Sequence, residues 1–91
     1  VDDLSKNKDG LTLFPNPATD KTNLRFEADG DSYTLQVIDM NGRTVIEPFS
    51  GRTLSGEQTI PIETYTLKAG FYTVRLHSRK AVKAVKLIIV D

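Results

Sequence analysis

Cysteine is absent from this chain, and histidine occurs once. Without thiols there is no disulfide, no thiolate metal site and no cysteine nucleophile, although that alone does not fix a reducing compartment. Net charge is missing as well. Twelve basic residues balance twelve acidic ones, so no global field draws the chain to nucleic acid or a membrane surface. No apolar run approaches the roughly 20 residues that span a bilayer, and no signal peptide opens the sequence. Gly-rich phosphate loops, zinc-ligand spacings and nucleophile elbows are lacking too. The first residue is Val1 rather than Met, which reads as a piece of a longer polypeptide. Ninety-one residues suffice for one domain with a modest core.

What the chain does contain is a succession of short alternating runs. Val1–Gly10 is polar and charge-rich and reads as a linker or loose lead-in. Ser5, Asn7, Asp9 and Gly10 faintly echo a calcium loop, but the closing Glu, due about eleven residues after the first ligand, falls on Asn16. No metal site is expected there. Leu11–Phe14 reads as a strand stopped by Pro15-Asn16-Pro17, which cannot continue a ladder. Leu24 and Phe26 alternate with polar neighbours in a second strand, and Asp29-Gly30-Asp31 turns the chain into a third, Tyr33–Asp39. Asn41-Gly42 is a strong hairpin signal and leads into Arg43–Phe49. Ser50–Gly56 reads as a polar loop, and Gln58, Ile60 and Ile62 as a fifth strand. Pro48 and Pro61 push their strands toward sheet edges or bulges.

The last two strands carry the most information. Tyr72, Val74 and Leu76 alternate with Thr73, Arg75 and His77, after a turn at Ala69-Gly70. The final strand places Val85, Leu87 and Ile89 on one face, yet Ile88 and Val90 make the other face apolar too. Either another layer or a partner covers that second face. Seven short strands at roughly ten-residue spacing, with no helix, predict an all-β, antiparallel, immunoglobulin-like sandwich. A small barrel is the alternative.

Reactive groups do not converge. His77 lies opposite Tyr72, Val74 and Leu76, and Ser78 beside it points the other way, so they are not a nucleophile and its base. The acidic residues are scattered, and no cofactor is implied. The chain is not expected to be an enzyme by itself. Arg79, Lys80, Lys83 and Lys86 form a local basic cluster with two open readings. The lysines could guard a terminal edge strand against unwanted pairing, or form a strip that steers and docks a partner. A nucleic-acid patch is disfavoured, because exposed aromatics do not interleave with the cations.

Four blocks taken together resemble the C-terminal sorting domains of the bacterial type IX (Por) secretion system. They are Phe14-Pro15-Asn16-Pro17-Ala18-Thr19-Asp20, Val37–Val45 with its Asn41-Gly42-Arg43 centre, Leu67–Arg75 with Gly70 and Tyr72, and Val85–Val90. The resemblance covers about Leu11 to Asp91. It implies an export address at the end of a cargo protein that has reached the periplasm, read by an outer-membrane translocon and delivered to the cell surface or medium. It further implies a transpeptidase that commonly removes the domain and can attach the covalently linked upstream cargo to an anionic lipopolysaccharide. On this resemblance translocon recognition falls to Gly70, Tyr72, Lys83, Lys86, Leu87, Ile88, Ile89 and Val90, and cleavage to Val1–Gly10. Members frequently close on a basic residue, whereas this chain ends Val90-Asp91. Self-association through the terminal strand stays open. The rival reading is an accessory module that binds carbohydrate or a partner protein in a larger surface enzyme. Such a module needs an aromatic platform, and Phe71 is the best candidate for an exposed ring.

Overall fold

Alternation of apolar and polar residues is realised strand by strand. A computed structural model of the chain describes residues 10–91. The lead-in Val1–Gly10, with its calcium-loop echo, lies outside the described residues apart from Gly10. The strands are β1 Thr12–Phe14, β2 Lys21–Asp29, β3 Ser32–Ile38, β4 Thr44–Arg52, β5 Ser55–Glu63, β6 Gly70–His77 and β7 Val82–Ile89. They form two antiparallel sheets, β1-β2-β5 and β4-β3-β6-β7, with no helix among the described residues. This is the expected sandwich architecture and fits an immunoglobulin-like fold whose fourth strand belongs to the second sheet.

The period-2 pattern fills the space between the sheets. Leu13, Leu24, Phe26 and Ile62 from one sheet meet Leu35, Val37, Val74, Leu76, Val85, Leu87 and Ile89 from the other. Burial of such side chains is worth roughly 1.5–3 kcal/mol each, and it fixes the register, because a one-residue slip would turn every one of them outward. Phe26 and Tyr33 add an edge-to-face contact at 5.2 Å.

Two sequence expectations need adjusting. Ser50–Gly56 is not a loop: β4 runs on to Arg52 and β5 starts at Ser55. Ser32, Tyr33 and Thr34 pair with Arg52, Gly51 and Ser50, while Ala28 and Asp29 pair with Gly56 and Ser55. Polar edge residues lack apolar alternation, so partner strands rather than local pattern set those ends. The Asn41-Gly42 hairpin is present with a longer turn than two residues. Gly42 N–H donates to the Asp39 carbonyl, and the Asp39 carboxylate accepts from the Asn41 and Arg43 amides. Gly42 has φ +85°, the left-handed conformation such a turn needs.

Both prolines stand where a ladder tolerates them. Pro61 lies on β5, the edge of its sheet. In edge strand β4, Glu47 and Pro48 together face Gln36, because Leu35 pairs with Phe49 and Val37 with Ile46, which makes a bulge.

The closing strand and its clasp

Of the two remaining sheet edges, β1 and β7, the second is partly covered by the chain itself, through the segment that holds the other two prolines, Pro15 and Pro17. A residue between two prolines is held outside any ladder, and Asn16 uses its side-chain amide in place of a peptide group. Its Nδ2 donates to the Lys86 carbonyl at 2.9 Å and its Oδ1 accepts from the Ile88 amide at 3.0 Å. Ala18 continues the pairing: its N–H donates to the Ile88 carbonyl, and its carbonyl accepts from the Val90 amide, both at 2.8 Å. Ala18 and Ile89 thus form a parallel bridge. The Phe14–Pro15 and Asn16–Pro17 peptide bonds are cis. From β2, Thr22 Oγ1 donates to the Pro15 carbonyl at 2.7 Å and Asn23 Nδ2 to the Phe14 carbonyl at 3.1 Å. The segment therefore leaves the first sheet at β1 and clasps the last strand of the second.

Gly70 and Tyr72 form a corner at the start of β6. The Tyr72 hydroxyl donates to the Lys68 carbonyl at 2.7 Å, the tyrosine-corner arrangement of immunoglobulin-like sandwiches. Gly70 adopts φ +152°, with no atom within 4 Å of where a Cβ would sit. Backbone conformation, not crowding, calls for glycine there.

The basic cluster divides. Lys80 Nζ contacts Asp29 Oδ2 at 3.1 Å and Arg79 Nε contacts the buried Asp31 carboxylate at 3.4 Å. These pairs tie the β6–β7 turn to the β2–β3 turn. Asp29 also accepts from the Tyr33 hydroxyl at 2.9 Å. That hydrogen bond and the one from Lys80 hold the Asp29 carboxyl below its ordinary pKa, and the Asp29 contact raises that of Lys80. Burial raises the Tyr33 phenol, so it remains a donor. Lys83 and Lys86 lie three positions apart on one strand and so face opposite ways. Lys83 lines a small hollow at the sandwich end with Glu27, Asp29, Tyr33 and Leu76. Lys86 stands on the outer face, its Nζ 5.7 Å from the Phe71 ring centre.

The residues singled out for recognition thus separate by position. Leu87 and Ile89 are buried in the core, whereas Lys83, Lys86 and Val90 are exposed and Ile88 is half-buried. Phe71 is exposed, as its position opposite Tyr72 implied. It does not join an aromatic platform: Phe14 lies on the other sheet beneath Arg25, and the sole ring pair among the described residues is Phe26–Tyr33. Nor do those residues gather three or more metal-binding side chains.

A family model described as "Secretion system C-terminal sorting domain" matches residues 12–90. The chain belongs to that family. No curated protein matches it. The sorting domain is a type IX secretion signal, and its family role is interaction with that machinery as cargo, leading to the cell surface or medium. Its four recognisable blocks coincide with architectural devices: the clasp, the β3–β4 turn, the tyrosine corner and the closing strand. Sequence reasoning missed the clasp. Its only local sign was an amide side chain isolated between prolines.

Proposed function

We propose that residues 11–91 act as a folded export address, read in the periplasm by the outer-membrane translocon of the type IX system through the β6–β7 hairpin. In this reading Lys86, Ile88 and Val90 meet the translocon from the outer face of the hairpin and Lys83 from the sandwich end, while Gly70, Tyr72, Leu87 and Ile89 keep the hairpin in shape. A transpeptidase then cuts within Val1–Gly10 and releases the upstream cargo or transfers it to an anionic lipopolysaccharide. The observation that carries the reading is the family match over residues 12–90. The integration of the last strand into both core and clasp supports it, because the hairpin is presented only by the folded domain.

The test is a reporter with a periplasmic signal, fused ahead of Val1 and expressed in a bacterium with this secretion system. Delivery to the surface or medium is expected, with loss of delivery in a strain lacking the translocon. A correctly folded fusion that stays in the periplasm of the intact strain would sink the proposal.

A further inference from the structure

Three observations narrow how the closing hairpin can be read. The first concerns the strand edge. Between the Lys86 carbonyl and the Val90 amide, all four outward main-chain groups are taken by Asn16 and Ala18. A partner adding its own strand along this stretch finds nothing to bond. The second concerns the inner face: Val85, Leu87 and Ile89 are buried against the core. What remains is the outer face. Phe71 pairs with Ile88 and Thr73 with Lys86 across the β6–β7 ladder, and Ile38 lies beside Thr73 on β3. Phe71 is 51% exposed and Val90 43%, so the centre is apolar and accessible.

The third observation is the distribution of charge. The outward strand residues of the β4-β3-β6-β7 sheet include Arg52, Arg75 and Lys86 and one carboxylate, Glu47 at the β4 bulge, whereas those of β2 and β5 set Glu27, Asp29, Glu57 and Glu63 against Lys21 and Arg25. A chain of zero formal charge therefore shows one face that favours anions and another that does not. Arg75 is already oriented by Gln36, whose Oε1 accepts from its Nη2 at 2.7 Å.

We infer that the sorting domain is recognised through the side chains of this outer face, by a protein surface with an apolar centre and a carboxylate rim. The apolar centre covers Phe71, Ile88 and Val90, and the carboxylates reach Lys86 and Arg75. Recognition is of the folded sheet face, not strand addition. This rests on the export reading above and names its surface and partner chemistry.

Matched substitutions test it in the reporter fusion. Thr73 and Thr59 are both exposed, and they occupy the outer faces of opposite sheets. Each has a cation near it, Lys86 opposite Thr73 and Arg25 opposite Thr59, so a glutamate is tolerated structurally at either site. Thr73→Glu places a carboxylate amid the proposed contact and is expected to lower delivery about tenfold or more, as interface centres do. Thr59→Glu is expected to leave it unchanged, with both variants melting near the parent. A photoreactive residue in place of Thr73, but not of Thr59, is expected to crosslink a secretion-machinery protein in the periplasm. Delivery of Thr73→Glu equal to the parent, or equal crosslinking from both positions, overturns the inference and leaves the export reading standing. A parent fusion that never leaves the periplasm overturns both. Sedimentation of the purified full chain covers the remaining occupant: a dimer that Thr73→Glu dissociates would assign the face to a second copy and overturn the proposal.

Discussion

Asn16 contributes through two hydrogen bonds that a smaller side chain cannot make. Each is worth about 0.5–1.5 kcal/mol net, so Asn16→Ala is expected to cost about 1–3 kcal/mol. Its signature is local: hydrogen exchange at the Ile88 amide accelerates more than exchange at amides bonded within β6–β7. Asp29 and Lys80 add a pH-dependent tie at the other end of the hairpin. Because folding depresses the Asp29 pKa, its contribution is full above the unfolded value of about 3.9 and is lost as pH falls through the folded value. The raised Lys80 pKa works in reverse, with its contribution lost as pH rises through the folded value, above about 10.4. Asp29→Asn should therefore lower Tm at pH 7 and leave it nearly unchanged at the acid end, where the parent carboxyl is also protonated. Thermal melts of both proteins across acid pH check the sign.

Within β7, adjacent positions differ in what they do. Leu87 is fully buried, and Leu87→Ala is expected to cost about 2–5 kcal/mol through lost burial and the cavity left behind. Val90→Ala, at an exposed site, is expected to change stability by less than about 0.5 kcal/mol; denaturant unfolding of the two variants measures the contrast. The alternation that separates these residues was legible in the sequence, as were seven strands, the edge positions of Pro48 and Pro61, and the outward aspect of Phe71. The ends of β4 and β5 were not, because Ser50, Gly51, Arg52 and Ser55 are paired by distant strands that no local pattern announces. Adjacency in sequence also misled. Arg79, Lys80, Lys83 and Lys86 form one run of cations on paper, yet two pair with aspartates and the others occupy opposite faces of a strand. The clasp was least legible of all, since Asn16 and Lys86 meet across 70 positions.

For the molecule as a whole, the last strand is not a detachable label. Cutting after Ser78 removes Val85, Leu87 and Ile89 from the core, worth roughly 5–9 kcal/mol at 1.5–3 each. It also unpairs β6 and leaves Asn16 and Ala18 without partners. Total stability of a small domain is about 5–15 kcal/mol, so the truncated chain is expected to be largely unfolded by circular dichroism and amide dispersion. Loss of export on such a cut would then report loss of fold, which is why surface substitutions separate the two questions.

The clasp also acts as a clock. Synthesis at about 5–20 residues per second puts roughly 4–14 s between the emergence of Asn16 and that of Lys86, and neither can satisfy the other in the interval. Throughout that delay the second sheet lacks its closing strand and the clasp has nothing to hold. The sandwich closes only once β7 has arrived.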